Sequence, residues 1–171
     1  MVEYENTTED GKCIFCEIVN GNLKPMGNGT IYEDEEFIAW LSPFPNTKGA
    51  TIVVPKKHYD SDVLEMPDEI LSKFIIFSKK VAKILEDYFE DVGRVGLVME
   101  GTGINHAHIK LFPMHKTGFM KKGEWKQFHS GVNSYFDEYD GYISSNDGPQ
   151  ADLEELEKLA QEIIKNQNNN K

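Results

Sequence analysis

The sequence has no run of the ~20 uncharged apolar residues needed to span a bilayer. Its most apolar stretch, Ile70 to Phe89, is interrupted by Lys73, Lys79, Lys80, Lys83, Glu86 and Asp87, so a membrane partner is not expected. Met1 to Asp10 is polar and acidic and lacks the apolar centre of a secretory signal, which makes the expected location cytoplasmic. Only two cysteines are present, too few to staple a secreted scaffold. Their Cys13-Ile14-Phe15-Cys16 spacing suits a reduced thiol pair or a metal site. Basic charge is also scarce, and a formal net charge of −11 argues against a nucleic-acid partner, which would require a broad basic face. Internal repeats are absent, which excludes a solenoid.

What is present fits one compact domain, given 171 residues and 39% hydrophobic content. The expected organisation is a polar leader over 1–12 and a core over 13–113. An aromatic loop region and C-terminal helix over 114–165 complete the same domain, and 166–171 form a polar tail. Five β-rich runs are expected: Thr30–Tyr32, Phe37–Leu41, Thr51–Val54, Val95–Met99 and Ala107–Phe112. Pro67-Asp68-Glu69 opens a long helix, with Ile70, Leu71, Phe74, Ile75, Val81, Ile84, Leu85 and Tyr88 predicted as its core stripe. Asp152–Ile164 reads as a second helix. Between Gly101 and His129 five lysines face a single acid, Glu124. That stretch is either a local pocket for a small anion or a solvated charged loop.

The chemistry concentrates in Asn105-His106-Ala107-His108-Ile109-Lys110. Alternation along a strand puts His106, His108 and Lys110 on one face and Ala107, Ile109 and Leu111 on the other. The apolar face is expected to be buried, leaving two imidazoles and an ammonium projecting together. A neutral imidazole attacks phosphorus at physiological pH, and the phosphoryl-imidazole it forms is readily hydrolysed. A neighbouring histidine can orient it, while Lys110 and the loop amides of Gly101 and Gly103 can stabilise phosphoryl charge. No organic cofactor is required. The plainer alternative is a surface histidine pair with no role.

Several blocks resemble, in order, those of the histidine triad (HIT) superfamily. They are Cys13-Ile14-Phe15-Cys16-Glu17-Ile18, Ile31-Tyr32-Glu33-Asp34, Gly49 through Ile52-Val53-Val54-Pro55-Lys56-Lys57-His58, Gly101, and His106-Ala107-His108-Ile109-Lys110-Leu111-Phe112-Pro113. The resemblance implies an α+β domain with a five-stranded antiparallel sheet, one long helix and one C-terminal helix, commonly a homodimer. It also implies attack on the α-phosphate of a small-molecule nucleotide, such as a dinucleoside polyphosphate or nucleoside phosphoramidate, through a nucleotidyl-histidine intermediate. On this reading His108 is the nucleophile, His106 the first histidine, and Lys110 stands at the third, departing from the family pattern. Phe15, Ile18 and Trp40 match positions that sandwich the base. Ser42 replaces the acid or amide that grips the ribose, and Thr102 and Gly103 replace two side-chain contacts to phosphate. Pro43 to Gly49 also resembles the dinucleoside tetraphosphate phosphorylase branch.

The resemblance further implies a structural zinc site of Cys13, Cys16, His58 and His106, a donor set with suitable chemistry. The alternative role for His58 is to support the catalytic histidines. Two other functions stay open: a nucleotide-binding module with little turnover, suggested by Lys110, Ser42 and the altered loop, and a zinc-stabilised interaction protein, suggested by the cysteines and the aromatic segment.

Overall fold

The computed structural model describes residues 7–25 and 29–128. Expectations for residues 1–6, 26–28 and 129–171, among them the Asp152–Ile164 helix and the polar tail, lie outside the described residues. The chain divides into two compact units, 1–125 and 126–171, and the first carries every element named below. These are helix α1 (Ile14–Val19), strands β1 (Thr30–Glu33), β2 (Phe37–Leu41) and β3 (Thr51–Pro55), helix α2 (Asp68–Tyr88), and strands β4 (Val95–Val98) and β5 (Ile109–Pro113). Short 3-10 turns occupy Val63–Glu65 and Gly118–Lys122.

The strands form one antiparallel sheet in the order β1-β2-β3-β5-β4, which establishes the α+β class with five antiparallel strands. Parity along the strands decides what each face meets. Phe37, Ala39, Val53, Ile109 and Leu111 join Phe74, Phe77, Val81 and Leu85 of α2 in the larger core. The opposite parity, Ile38, Trp40 and Val54, packs against Phe15 of α1, with Ile14, Ile18, Val19 and Ile52 at its margin. Both faces of β2 and β3 are thus covered: Phe37 to Trp40 of β2 are all buried, as is every residue of β3 except the half-buried Ile52.

Three expectations are corrected here. The fifth strand begins at Ile109, so His106 and His108 lie in the segment that leads into it, with His106 in a bend. The histidine-bearing face is also buried rather than projecting: α1, the run that includes both cysteines, lies over it, and His106 and His108 are 0% and 3% exposed. On α2 the buried stripe is Phe74, Phe77, Ser78, Val81 and Leu85, while Ile75, Ile84 and Tyr88 are exposed. The helix turns only its Phe74-to-Leu85 line onto the sheet, so apolar residues flanking that line remain outside. No helix among the described residues is long and apolar enough to cross a membrane.

Lys121 donates from Nζ to the carbonyls of Glu86 and Phe89 at 2.7 and 3.3 Å, where it caps the C-terminal end of α2 and offsets its dipole. Lys110 pairs with Glu100.

A clasp after β5 ties this end of α2 to the β2–β3 loop. Asp91 lies 3.1 and 3.2 Å from Nδ1 of His115, whose Nε2 donates to the Lys48 carbonyl at 2.9 Å. Only a protonated imidazole donates at both nitrogens. The Lys48 carbonyl first, and Asp91 second, raise the His115 pKa. The Lys116 amide and then His115 lower that of Asp91. The histidine contribution to stability is therefore fully present below its unfolded pKa of about 6.5 and is lost as pH rises through the raised folded value. The Asp91 contribution is present above about 3.9 and is lost as pH falls through the depressed folded value. In Asp91→Asn, thermal stability followed from about pH 6 to about pH 8 is expected to fall less steeply than in the parent. An unchanged slope would show that the clasp does not hold the proton.

Candidate active site and metal cluster

The segment before β5 is held from both sides. The amide of Ala107 donates to the Tyr59 carbonyl at 2.8 Å, and that of His106 to the Ile104 carbonyl at 2.8 Å. The Asn105 amide group clamps the neighbouring loop, accepting from the Ser61 amide at 3.0 Å and donating to Asp60 at 3.0 Å. Gly101 adopts φ +64°, and a Cβ there would lie 2.8 Å from the Ser61 carbonyl oxygen. Glycine is thus required both by the left-handed backbone and by the close approach. Tyr59, Asp60, Ser61 and Asn105 were not assigned a role from sequence. The only signal for them was adjacency, Asn105 before His106 and Tyr59 to Ser61 after His58, and adjacency does not reveal which backbone groups meet.

Each buried imidazole gives one ring proton to a backbone carbonyl. His106 donates from Nε2 to Pro55 at 2.9 Å, and His108 donates from Nδ1 to the carbonyl of His106 at 2.8 Å. Since a carbonyl only accepts, these bonds fix the tautomers. His106 keeps a lone pair on Nδ1, and His108 keeps one on Nε2. Burial is the largest influence on both, pushing His106 down to about 4 and His108 below the ordinary histidine range. Both rings are consequently neutral at neutral pH.

The Nδ1 lone pair of His106 faces the two thiols. Cys13 Sγ and Cys16 Sγ each lie 3.5 Å from it, and Cys16 Sγ lies 3.3 Å from Nδ1 of His58. The four donor atoms of Cys13, Cys16, His58 and His106 all fall within 4.8 Å of one another. Cys13 is the residue capping α1 and Cys16 lies three positions on, so both sulfurs sit on one side of the helix. A tetrahedral metal with bonds of about 2.3 Å to sulfur and about 2.0 Å to nitrogen has S···N edges of about 3.5 Å. The donors fit a cation of that type, and the Pro55 carbonyl supplies the outer hydrogen bond that orients a metal-bound histidine. Burial and then Cys13 push the Cys16 thiol up to about 11, so a metal entering the cluster must displace thiol protons.

The residues that the resemblance aligns with base contacts lie beside this cluster. Phe15 meets Trp40 edge-on at 5.2 Å between ring centroids, and meets the rings of His106 and His108 at 5.8 Å each. Phe15 and Trp40 are both buried and Ile18 is half-buried at the margin of the same cluster. Ser42 uses its hydroxyl locally, accepting from the Phe44 amide at 3.2 Å. Gly101 and Gly103, both at positive φ, shape the loop into His106. Lys110 shares the histidine parity and is half-buried, with its ammonium held by the Glu100 carboxylate.

Residues 27–117 match the HIT domain family. The chain belongs to the HIT family. A HIT-like protein of Methanocaldococcus jannaschii is 40% identical over 108 residues, covering 61% of this chain and 80% of that protein. Protein hit of Bacillus subtilis is 32% identical over 118 residues, covering 67% and 79%. Among solved structures, SMU.412c of Streptococcus mutans superposes with a TM-score of 0.62 at 25% identity over 97% of this chain and 90% of that one. A histidine triad nucleotide-binding protein of Sulfolobus tokodaii gives 0.55 at 25% identity over 87% of each chain. In this HIT chain the histidine pair is buried and neutral, and the third position carries a lysine engaged with a carboxylate.

Proposed function

We propose that the protein is a nucleotide hydrolase or nucleotidyl transferase in which His108 attacks the α-phosphate of a nucleotide. HIT membership supports nucleotide binding and hydrolase or transferase chemistry in general, and the Sulfolobus tokodaii relative is a nucleotide-binding protein by name. The observation that carries the specific assignment is the hydrogen bond from His108 Nδ1 to the His106 carbonyl. With that proton committed, Nε2 is the available nucleophile. Its lone pair forms the new N–P bond as the bond from phosphorus to the leaving group breaks and takes its electron pair outward. The imidazole becomes cationic, and the His106 carbonyl at Nδ1–H stabilises that charge. Water or another acceptor then attacks phosphorus as the N–P bond breaks and returns its electron pair to Nε2, which restores the neutral ring, and the acceptor's proton passes to solvent. His106 orients this bond through its backbone, and Lys110 with the Gly101 and Gly103 amides provides donors for phosphoryl oxygens. Phe15, Ile18, Trp40 and Ser42 form the nucleoside side of the site.

We assign the four-residue cluster to structural zinc. When bound, zinc would cross-link α1 to His58 and His106; His108 stays outside the set. The same reading includes a homodimer, supported by the position of β4 at one end of the sheet and by the exposed Leu97, Ile75, Ile76, Ile84 and Tyr88. It also includes a cytoplasmic location, consistent with a reduced thiol pair, and a small-molecule partner in preference to nucleic acid, consistent with the acidic charge.

Replacing His108 with Ala is expected to lower turnover of an adenosine phosphoramidate or of diadenosine tetraphosphate by at least about a thousandfold. Turnover at the parent rate would refute the covalent route. Metal quantitation on untagged protein is expected to give about one zinc per chain, and Cys16→Ser to lose it together with several degrees of thermal stability. Protein purified under metal-preserving conditions that contains none would remove the zinc assignment.

A further inference from the structure

Glu100 received no role from the sequence, yet the end of β4 and an ion pair define its position. It lies two residues beyond Val98, whose partner across the β4–β5 ladder is Lys110. Lys110 shares the parity of His108 two residues before it, so its ammonium and the carboxylate that holds it stand on the histidine side of the sheet. The Glu100 carboxylate holds the Lys110 ammonium, with the two side chains 16% and 31% exposed. A pair so covered is screened less by salt than a surface pair.

A phosphate brought to His108 Nε2 therefore meets a carboxylate–ammonium pair and not a lone cation. A free ammonium would attract a substrate more strongly with every added phosphate charge. A paired one contributes little net field, and its carboxylate repels the extra charge. We propose that Glu100 is a specificity-determining residue: by engaging Lys110 it makes the face beside His108 nearly neutral and selects against substrates with additional phosphate charge. The class favoured is a nucleoside monophosphoryl group joined to an uncharged or cationic leaving group. This inference rests on the nucleotide site proposed above and deepens it.

The test is calorimetric binding of AMP and ATP to the whole chain, which requires no turnover. Glu100→Gln is nearly isosteric and leaves Lys110 unpaired. It is expected to raise the affinity for ATP relative to AMP by about tenfold, a gain that shrinks with added salt. In E100Q with K110M the ratio should return toward that of the parent. Glu100→Ala removes the same charge with a smaller side chain and should move the ratio the same way, so it decides the matter if E100Q proves unstable in thermal unfolding. A ratio unchanged within about twofold in the folded variants would overturn the role of Glu100 while leaving the nucleotide site intact. Failure of the parent to bind either nucleotide would instead overturn the nucleotide reading itself.

Discussion

The hydrogen bond from His108 to the carbonyl of the residue two places before it governs the chemistry of this site. Burial alone would leave an imidazole with either tautomer available. A carbonyl 2.8 Å from Nδ1 removes the choice, because the ring proton has only one place to be satisfied. The bond in turn depends on the backbone of His106 being held still. That is the work of the Pro55 carbonyl at its ring, the Ile104 carbonyl at its amide, and the Tyr59 carbonyl at the next amide. None of these contacts involves a charge, which suits a site where a charged group would cost several kcal/mol to bury unpaired.

The fold serves this arrangement through parity. One face of the sheet rests on α2 and forms a conventional apolar core. The other would expose Trp40, Val54 and the histidines if α1 did not lie across it. A six-residue helix is too short to be stable alone. Phe15 packs it onto Trp40 and both imidazoles, and Cys13 and Cys16 bring it within ligand distance of His58 and His106. A metal joining those four residues would fasten the cover at the point where its own packing is smallest.

Much of this was legible in the sequence. Turn residues bounded the strands, Pro67 and its following acids marked α2, and the His-x-His-x-Lys alternation correctly grouped three side chains on one face. The reading failed where a local pattern met tertiary packing. Ala107, Ile109 and Leu111 suggested a single buried face, but α1 buries the histidine face as well, which strand alternation cannot reveal. Phe77 was missed and Ile75, Ile84 and Tyr88 were included because α2 has more apolar residues than its contact line uses. Lys110 looked like a free cation because its partner, Glu100, is ten residues away and reaches it from the segment just after β4. The metal cluster was assembled from resemblance, and its four donors converge through contacts between α1, the end of β3 and the approach to β5.

The central claim is that a specific nitrogen of a specific histidine attacks phosphorus. Rapid quenching of the protein with an adenosine phosphoramidate under alkaline conditions, followed by peptide mapping and nitrogen-resolved NMR, would locate the phosphorus. The account predicts an adenylyl group on Nε2 of His108, with Nδ1 still protonated. An adduct on Nδ1, on His106 or on any other side chain would contradict it.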